Sequence, residues 1–335
     1  MRIGMMSFAH LHAEAYIGNL RAIHDVEMIG IADDNTERGQ HFANQFGAPF
    51  FSDYDSLLAE KPDGVVICCE NNRHREQVEM ALAAGVKHIL CEKPLATTLE
   101  DAQAIVQQVD AAHATLMTAF PMRFSPPIRE AYATIRAGKL GNIIGCNATN
   151  QGENPGYHRD WFVDKRLSGG GAVMDHTVHV VDLMRWIFDS EIAEIYAEAD
   201  SADHPLFAAP GLHIDTAGIL MITFTNGTFV GLDCSWSRPN YYPTWGNVRI
   251  DFVGERGLIV VDSFAQHHIT FSQPNRRPLW DYWGSDTNQA LIDEFAASIR
   301  ENRQPMITGR DGLKAVEAVL AAYQSAETHD TVKLA

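Results

Sequence analysis

A chain of 335 residues, 46% hydrophobic and 21% charged, has the composition of a globular protein long enough for two hydrophobic cores. A formal net charge of −17 argues against a polyanionic partner such as nucleic acid. No apolar run reaches membrane-spanning length, no secretory leader precedes the first strand-like residues, and the five cysteines (Cys68, Cys69, Cys91, Cys146, Cys234) form no C-x-x-C pair. The expectation is a cytoplasmic protein with buried free thiols and no membrane partner.

The first third alternates strand and helix. Residues 2–7 read as a strand, 10–23 as a helix, 26–32 as a second strand and 36–46 as a helix; a short strand at 49–51 and a helix at 54–60 follow. The apolar run 64–69 has the pattern of a strand buried on both faces. A helix at 74–84, a strand at 88–91, a helix at 99–112 and a strand at 115–119 complete the series. Short connections between repeated βα units predict a doubly wound parallel sheet, an α/β Rossmann-like domain over residues 1–121.

After residue 120 the pattern changes. Pro121-Met122-Arg123-Phe124-Ser125-Pro126 reads as the crossing into a second domain, residues 122–335. A helix at 128–137 and a strand at 142–150 lead to three glycines, 169–171, and a long helix at 173–188. Strands at 192–199, 216–224, 228–236, 248–253, 258–261 and 268–271 then follow one another, with Thr225-Asn226-Gly227 as a hairpin signal. They predict an α+β domain with a large, mostly antiparallel, open-faced sheet, closed by helices at 288–301 and 309–325.

Three stretches carry chemistry. The first strand–loop–helix is placed as in dinucleotide-binding folds, but Ser7, Ala9 and His12 stand near where the fingerprint has glycines, and His12 is too bulky for the third. Asp33 ends the second strand, where a carboxylate accepts from a ribose 2′-hydroxyl and repels a 2′-phosphate, favouring NAD over NADP; Asp34 adds to the repulsion. Arg38 reads as a solvated helix arginine, and Asp33, Asp34, Asn35 or Thr36 can each cap the following helix. The second stretch, His88-Ile89-Leu90-Cys91-Glu92-Lys93-Pro94, sends Lys93 out at a strand's carboxyl end, where open α/β sheets bind ligands; a solvated turn is the plain alternative. In the third, Asp175 and His179 lie one helical turn apart on one face, with Asp182 beyond. A carboxylate so placed can fix a histidine's tautomer for general-base work. The alternative is polar residues satisfying one another at a domain interface. His176 and His179 could begin a metal site, but no third ligand has suitable spacing, so no metal is expected.

Taken in order, these stretches resemble the motifs of the Gfo/Idh/MocA family of NAD(P)-dependent oxidoreductases, which includes glucose–fructose oxidoreductase and inositol dehydrogenase. The matching segments are Glu92-Lys93-Pro94, Asp175-His176-Thr177-Val178-His179 after the triple glycine, Cys69-Glu70-Asn71-Asn72-Arg73-His74, Arg123-Phe124 and Thr308-Gly309-Arg310-Asp311-Gly312. The chain departs from the family in its glycine-poor first loop and in Glu70, where a proline is usual. The resemblance implies NAD held by Ser7, Phe8, Ala9, His10, Asp33, Cys69, Asn71, His74, Glu92, Lys93 and Arg123. It implies that Lys93 orients a sugar or polyol hydroxyl, that His179 takes its proton, that Asp175 positions both, and that Lys93–Pro94 is cis. Tyr157, His158, Trp161 and His176 join these three as substrate-contact candidates, with Asn150, Gln151, Arg159, His213, Asp215, Trp236, Tyr241, Tyr242, Trp245 and Trp283 behind them. Pairing of the open sheets implies a homodimer or homotetramer. The competing activities are a glycosidase that uses NAD transiently and a non-catalytic cofactor-binding regulator.

Overall fold

In a computed structural model, which describes residues 1–200, 214–271, 273–274, 276–282 and 284–334, the βα units of the first third form one six-stranded parallel sheet. The strands are β1 (Arg2–Met6), β2 (Glu27–Ala32), β3 (Phe50–Phe51), β4 (Gly64–Ile67), β5 (His88–Cys91) and β6 (Thr115–Thr118), in the order β3-β2-β1-β4-β5-β6. Helices α1 (Ala13–Ala22), α2 (Thr36–Phe46), α3 (Tyr54–Ala59), α4 (His74–Ala83) and α5 (Leu99–Ala111) connect them. Val65, Val66, Ile67, Ile89, Leu90 and Cys91 are wholly buried, as their unbroken apolar runs require. The winding reverses between β1 and β4, and the carboxyl ends there are Ser7, Glu70 and Glu92–Lys93. That is where such sheets open a crevice for ligands.

The second half contributes α6 (Pro126–Arg136), β7 (Ile143–Glu153), α7 (Lys165–Ser168), α8 (Ala172–Phe188), β8 (Ile192–Asp200), β9 (Ala217–Phe224), β10 (Phe229–Arg238), β11 (Gly246–Gly254) and β12 (Gly257–Asp262). After the ribbon β13 (His267–Phe271) and β14 (Pro278–Tyr282) come α9 (Thr287–Glu301), α10 (Gly309–Thr328) and β15 (Val332–Lys333). The large sheet runs β12-β11-β7-β10-β9-β8-β15, antiparallel except for the β7/β10 pair. α8 and α10 cover one face, where Val178 and Val181 join Ile195, Leu220, Ile222 and Leu232 in the core. The opposite face leaves Ile144, Ile219, Met221, Phe229, Val253, Leu258 and Val260 exposed.

Three details differ from the sequence reading. α1 begins at Ala13 because residues 7–12 form a loop. α7, β14 and β15 are too short or too polar to show periodicity. α9 returns to pack on α1, and α10 lies between α8 and α5, so both closing helices bind the first half as well as the second. No helix among the described residues is long and apolar enough to cross a membrane.

Candidate active site

The β1–α1 loop is braced by its own backbone rather than by glycines. Ser7 takes a left-handed φ of 69° and donates from its N–H to Ala32 O at 2.7 Å, while the His10 N–H donates to Cys68 O at 2.9 Å. Its hydroxyl accepts the Ala9 N–H at 3.1 Å. The Phe8 ring stacks on Phe42 at 4.8 Å. His12, just before α1, lies on the crevice wall, 3.0 Å from Glu92 Oε1. From the second half, the Trp161 indole donates to Ala9 O at 3.0 Å, and Arg159 pairs with Glu14 at 2.8 Å. One bond thus fastens the loop, and the other the first turn of α1, to the second half.

A dinucleotide suits this crevice. α1 has no side-chain cap; the Ala13 N–H donates to His10 O at 3.2 Å, and the N–H groups that follow it in the first turn suit an anion. Buried His10 Nε2, Glu70 Oε2, Asn71 Oδ1 and His74 Nε2 have no hydrogen-bond partner among the described residues. Asp33, wholly buried, accepts from Phe8 N–H (2.8 Å), Asn35 N–H (2.9 Å), Arg38 Nε (2.9 Å) and Arg38 Nη2 (2.8 Å). Arg38 is thus no solvated arginine: it fills the corner between β1 and β2, drawn in by that carboxylate. Asn35 caps α2 by accepting the Arg38 N–H at 3.0 Å.

Four of the proposed cofactor contacts are engaged elsewhere. Arg123 does not reach the crevice wall, which Pro121 and Met122 supply; its guanidinium donates to Asp182 Oδ2 and Oδ1 at 2.7 and 2.6 Å and to Asp311 at 3.0 Å. His74 braces the lysine loop through Pro94 O at 2.9 Å. Cys69 is packed in the first core. Asn71 spans the domains, its amide donating to Ser168 O at 2.9 Å.

The lysine meets the carboxylate as the sequence suggested. The Lys93–Pro94 bond is cis, and buried Lys93 donates from Nζ to Asp175 Oδ1. The other Asp175 oxygen accepts from Trp236 Nε1 at 3.2 Å and lies 3.3 Å from His176 Nε2. Burial pushes the Asp175 carboxyl up, but Lys93 and His176 outweigh it and hold it well below the usual range. No hydrogen bond joins Asp175 to His179 among the described residues, so its tautomer is not fixed as the spacing suggested: Asp175 orients Lys93 instead. His179 Nδ1 is buried and without a partner. Burial and then the Lys93 charge drive the His179 pKa well below 6.5, so its imidazole is neutral at neutral pH. Burial also raises the Glu92 carboxyl, but His10, His12 and Lys93 on balance hold it down as an anion.

Lys93, Asp175, His176, His179, His10 and His12 line one cleft of about 230 Å³, with Asn150, Met122, Phe162, Trp245, Asn247, Phe264 and Asn288. His176 is held by Asn150 O at 2.8 Å. Tyr157 and Trp161 are absent from this wall: Tyr157 is exposed, and Trp161 is stacked beneath Phe162 at 4.0 Å. His158 pairs with Glu153 beside Trp245, outside the wall. Asp215 caps α8, accepting the N–H groups of Gly171 and Val173 at 2.9 and 2.8 Å. His213 and Trp283 lie outside the described residues. Sequence reasoning missed Phe162, Asn247, Phe264 and Asn288; His12 carried a signal in its H-x-H spacing that the glycine fingerprint obscured. His10, His12 and Glu92 bring ligand-type atoms within 4.8 Å of one another, but His10 Nδ1 already accepts the His12 N–H at 3.2 Å.

Residues 2–120 match the model of an oxidoreductase family with an NAD-binding Rossmann fold, and residues 128–260 match the GFO/IDH/MocA C-terminal domain. The chain is 32% identical over 339 residues to a 1,5-anhydro-D-fructose reductase of Ensifer adhaerens, covering 99% of this chain and 98% of that protein. It is 26% identical to a myo-inositol 2-dehydrogenase of Thermotoga maritima, over 100% of this chain and 98% of the relative. Its fold superposes with a TM-score of 0.89 on GenD2 from gentamicin A biosynthesis, solved with NAD, at 21% identity and over 100% and 96% of the two chains. With these matches over both halves, the chain belongs to the GFO/IDH/MocA family of oxidoreductases.

Proposed function

We propose that this protein oxidises a secondary hydroxyl of a neutral sugar or polyol, reversibly, with NAD as the acceptor. The carrying observation is the convergence of Lys93, Asp175 and His179 on one cleft whose opposite wall is the β1–α1 loop. Bound NAD supplies the electrophilic ring that takes the hydride. The Lys93 ammonium, aimed by Asp175, donates to the reacting oxygen and stabilises its developing charge. Neutral His179 accepts the hydroxyl proton as the C–O bond gains double-bond character. His176 and Asn150 hold neighbouring hydroxyls, while Phe162, Met122 and Phe264 give an apolar surface to the ring's C–H face. The test is a panel of sugars and polyols with NAD, read as NADH absorbance: one equivalent of NADH per ketone formed is expected. Turnover of a nitrophenyl glycoside without NADH accumulation would instead favour the transient-redox glycosidase.

The exposed apolar face of the large sheet suits a second copy of the chain, giving a homo-oligomer. Light scattering should return a dimer or tetramer; a monomer at micromolar concentration refutes this. The five cysteines are free and buried, which supports a reducing, cytoplasmic setting.

A further inference from the structure

The corner between the carboxyl ends of β2 and β4 holds an odd charge. Asp33 accepts four hydrogen bonds, two on each oxygen, so it has no lone pair left for a ligand. One of its donors, Arg38, is the residue type that accommodates a 2′-phosphate in dinucleotide folds. A second cation, Arg73, stands beside it and pairs with Asp34. With Asp33 and Asp34 alone, two guanidinium groups would balance two carboxylates, and the corner would not reject a phosphate. Glu70 tips the balance. It is largely buried, with Oε1 at 3.8 Å from Arg38 Nη1 and Oε2 at 3.7 Å from Arg73 Nη1. Those are ion-pair distances, and Oε2 is buried without a hydrogen bond. Glu76, which also pairs with Arg73 at 3.3 Å, is exposed and screened by water.

We propose that Glu70 sets the cofactor preference of this chain: its carboxylate neutralises the Arg38–Arg73 pair and leaves a net negative corner that admits NAD and rejects the 2′-phosphate of NADP. The inference rests on the dinucleotide reading of the crevice. Glu70→Gln keeps the side chain's shape and removes the charge.

Direct titration of NADH and NADPH against the protein, by tryptophan quenching or calorimetry at low salt, separates the readings without any substrate. Wild type is expected to prefer NADH, and Glu70→Gln to shift the affinity ratio toward NADPH by about tenfold or more, with NADH affinity changed by less than about threefold. High salt should shrink the difference, and Glu76→Gln should leave the ratio near wild type. Arg73→Gln should move the ratio the other way, and it decides the matter alone if Glu70→Gln does not fold. NADH binding with a ratio that Glu70→Gln leaves unmoved, a wild type indifferent to the phosphate, or tighter NADPH binding in Arg73→Gln overturns the assignment. A wild type that binds neither nucleotide overturns the dinucleotide reading itself.

Discussion

At the scale of single residues, the site is organised by which partner each charged group has. Asp175 has three polar partners, while His179 makes no hydrogen bond among the described residues; this contrast underlies the proposed roles of orienting carboxylate and general base. His179→Ala is expected to lower kcat by about 10²–10⁴-fold while NADH titration remains near wild type. Because the His179 pKa is depressed, wild-type kcat/KM should be flat from neutral pH upward on this group's account, with its acid limb below 6.5. Near-normal kcat in His179→Ala across that range would remove the general-base assignment. Strand-end position and helical spacing, both local properties, singled out Lys93, Asp175 and His179, and the family resemblance implied their roles. The partners were not: Trp236 reaches Asp175 across 61 residues of chain, and Arg38 turned inward because a wholly buried carboxylate needs a cation.

At the scale of elements, α8 carries the carboxylate and the base, and its first turn is built by distant parts of the chain. A Cβ on Gly171 would lie 1.8 Å from Asp215 O, and one on Gly170 would lie 2.1 Å from the Tyr323 hydroxyl. The triple glycine is thus a landing place for other residues. Asp215→Ala removes the acceptor for two N–H groups of that turn and is expected to cost about 1–2 kcal/mol, seen as a lower denaturation midpoint. A midpoint unchanged from wild type would show that water replaces the cap fully. Periodicity made the long strands and helices readable. It gave no access to the loop at residues 7–12, whose residues depart from the glycine fingerprint. Ser7 in a left-handed conformation, two backbone bonds to neighbouring segments and the Ser7 hydroxyl accepting the Ala9 N–H supply the turn instead.

At the scale of the molecule, burial of histidines makes stability depend on pH. His10, His74 and His179 all have folded pKa values below their ordinary 6.5, burial being the first cause for each. The unfolded chain therefore binds more protons than the folded one as pH falls through 6.5, and stability drops in that direction. Between pH 6.5 and 5.5 the three together are expected to remove about 2–3 kcal/mol, read as a fall of several degrees in Tm by calorimetry. A Tm constant from pH 8 to 5.5 would contradict this. Glu92 and Asp175, held low, act in the same direction only in more acid solution. The two-sheet architecture could be read from the change in strand–helix alternation near residue 120. The return of α9 to α1 could not, because an amphipathic helix does not say which core it covers.

The Tyr323 hydroxyl donates to Asp215 at 2.8 Å and accepts the N–H groups of Gly171 and Met174 at 3.1 Å each. Gly171 and Tyr323 are 152 residues apart, so a ribosome makes the start of α8 long before it makes the residue that finishes it. Asp215 follows Gly171 by 44 residues, so the first turn gains its carboxylate partner well before the hydroxyl that steadies that partner. The strands that hold the nucleotide crevice come earlier in the chain than every group that completes the reacting end. A chain cut short before Tyr323 therefore has the lysine loop and the Asp175 carboxylate but lacks the hydroxyl that joins Asp215 to the start of α8.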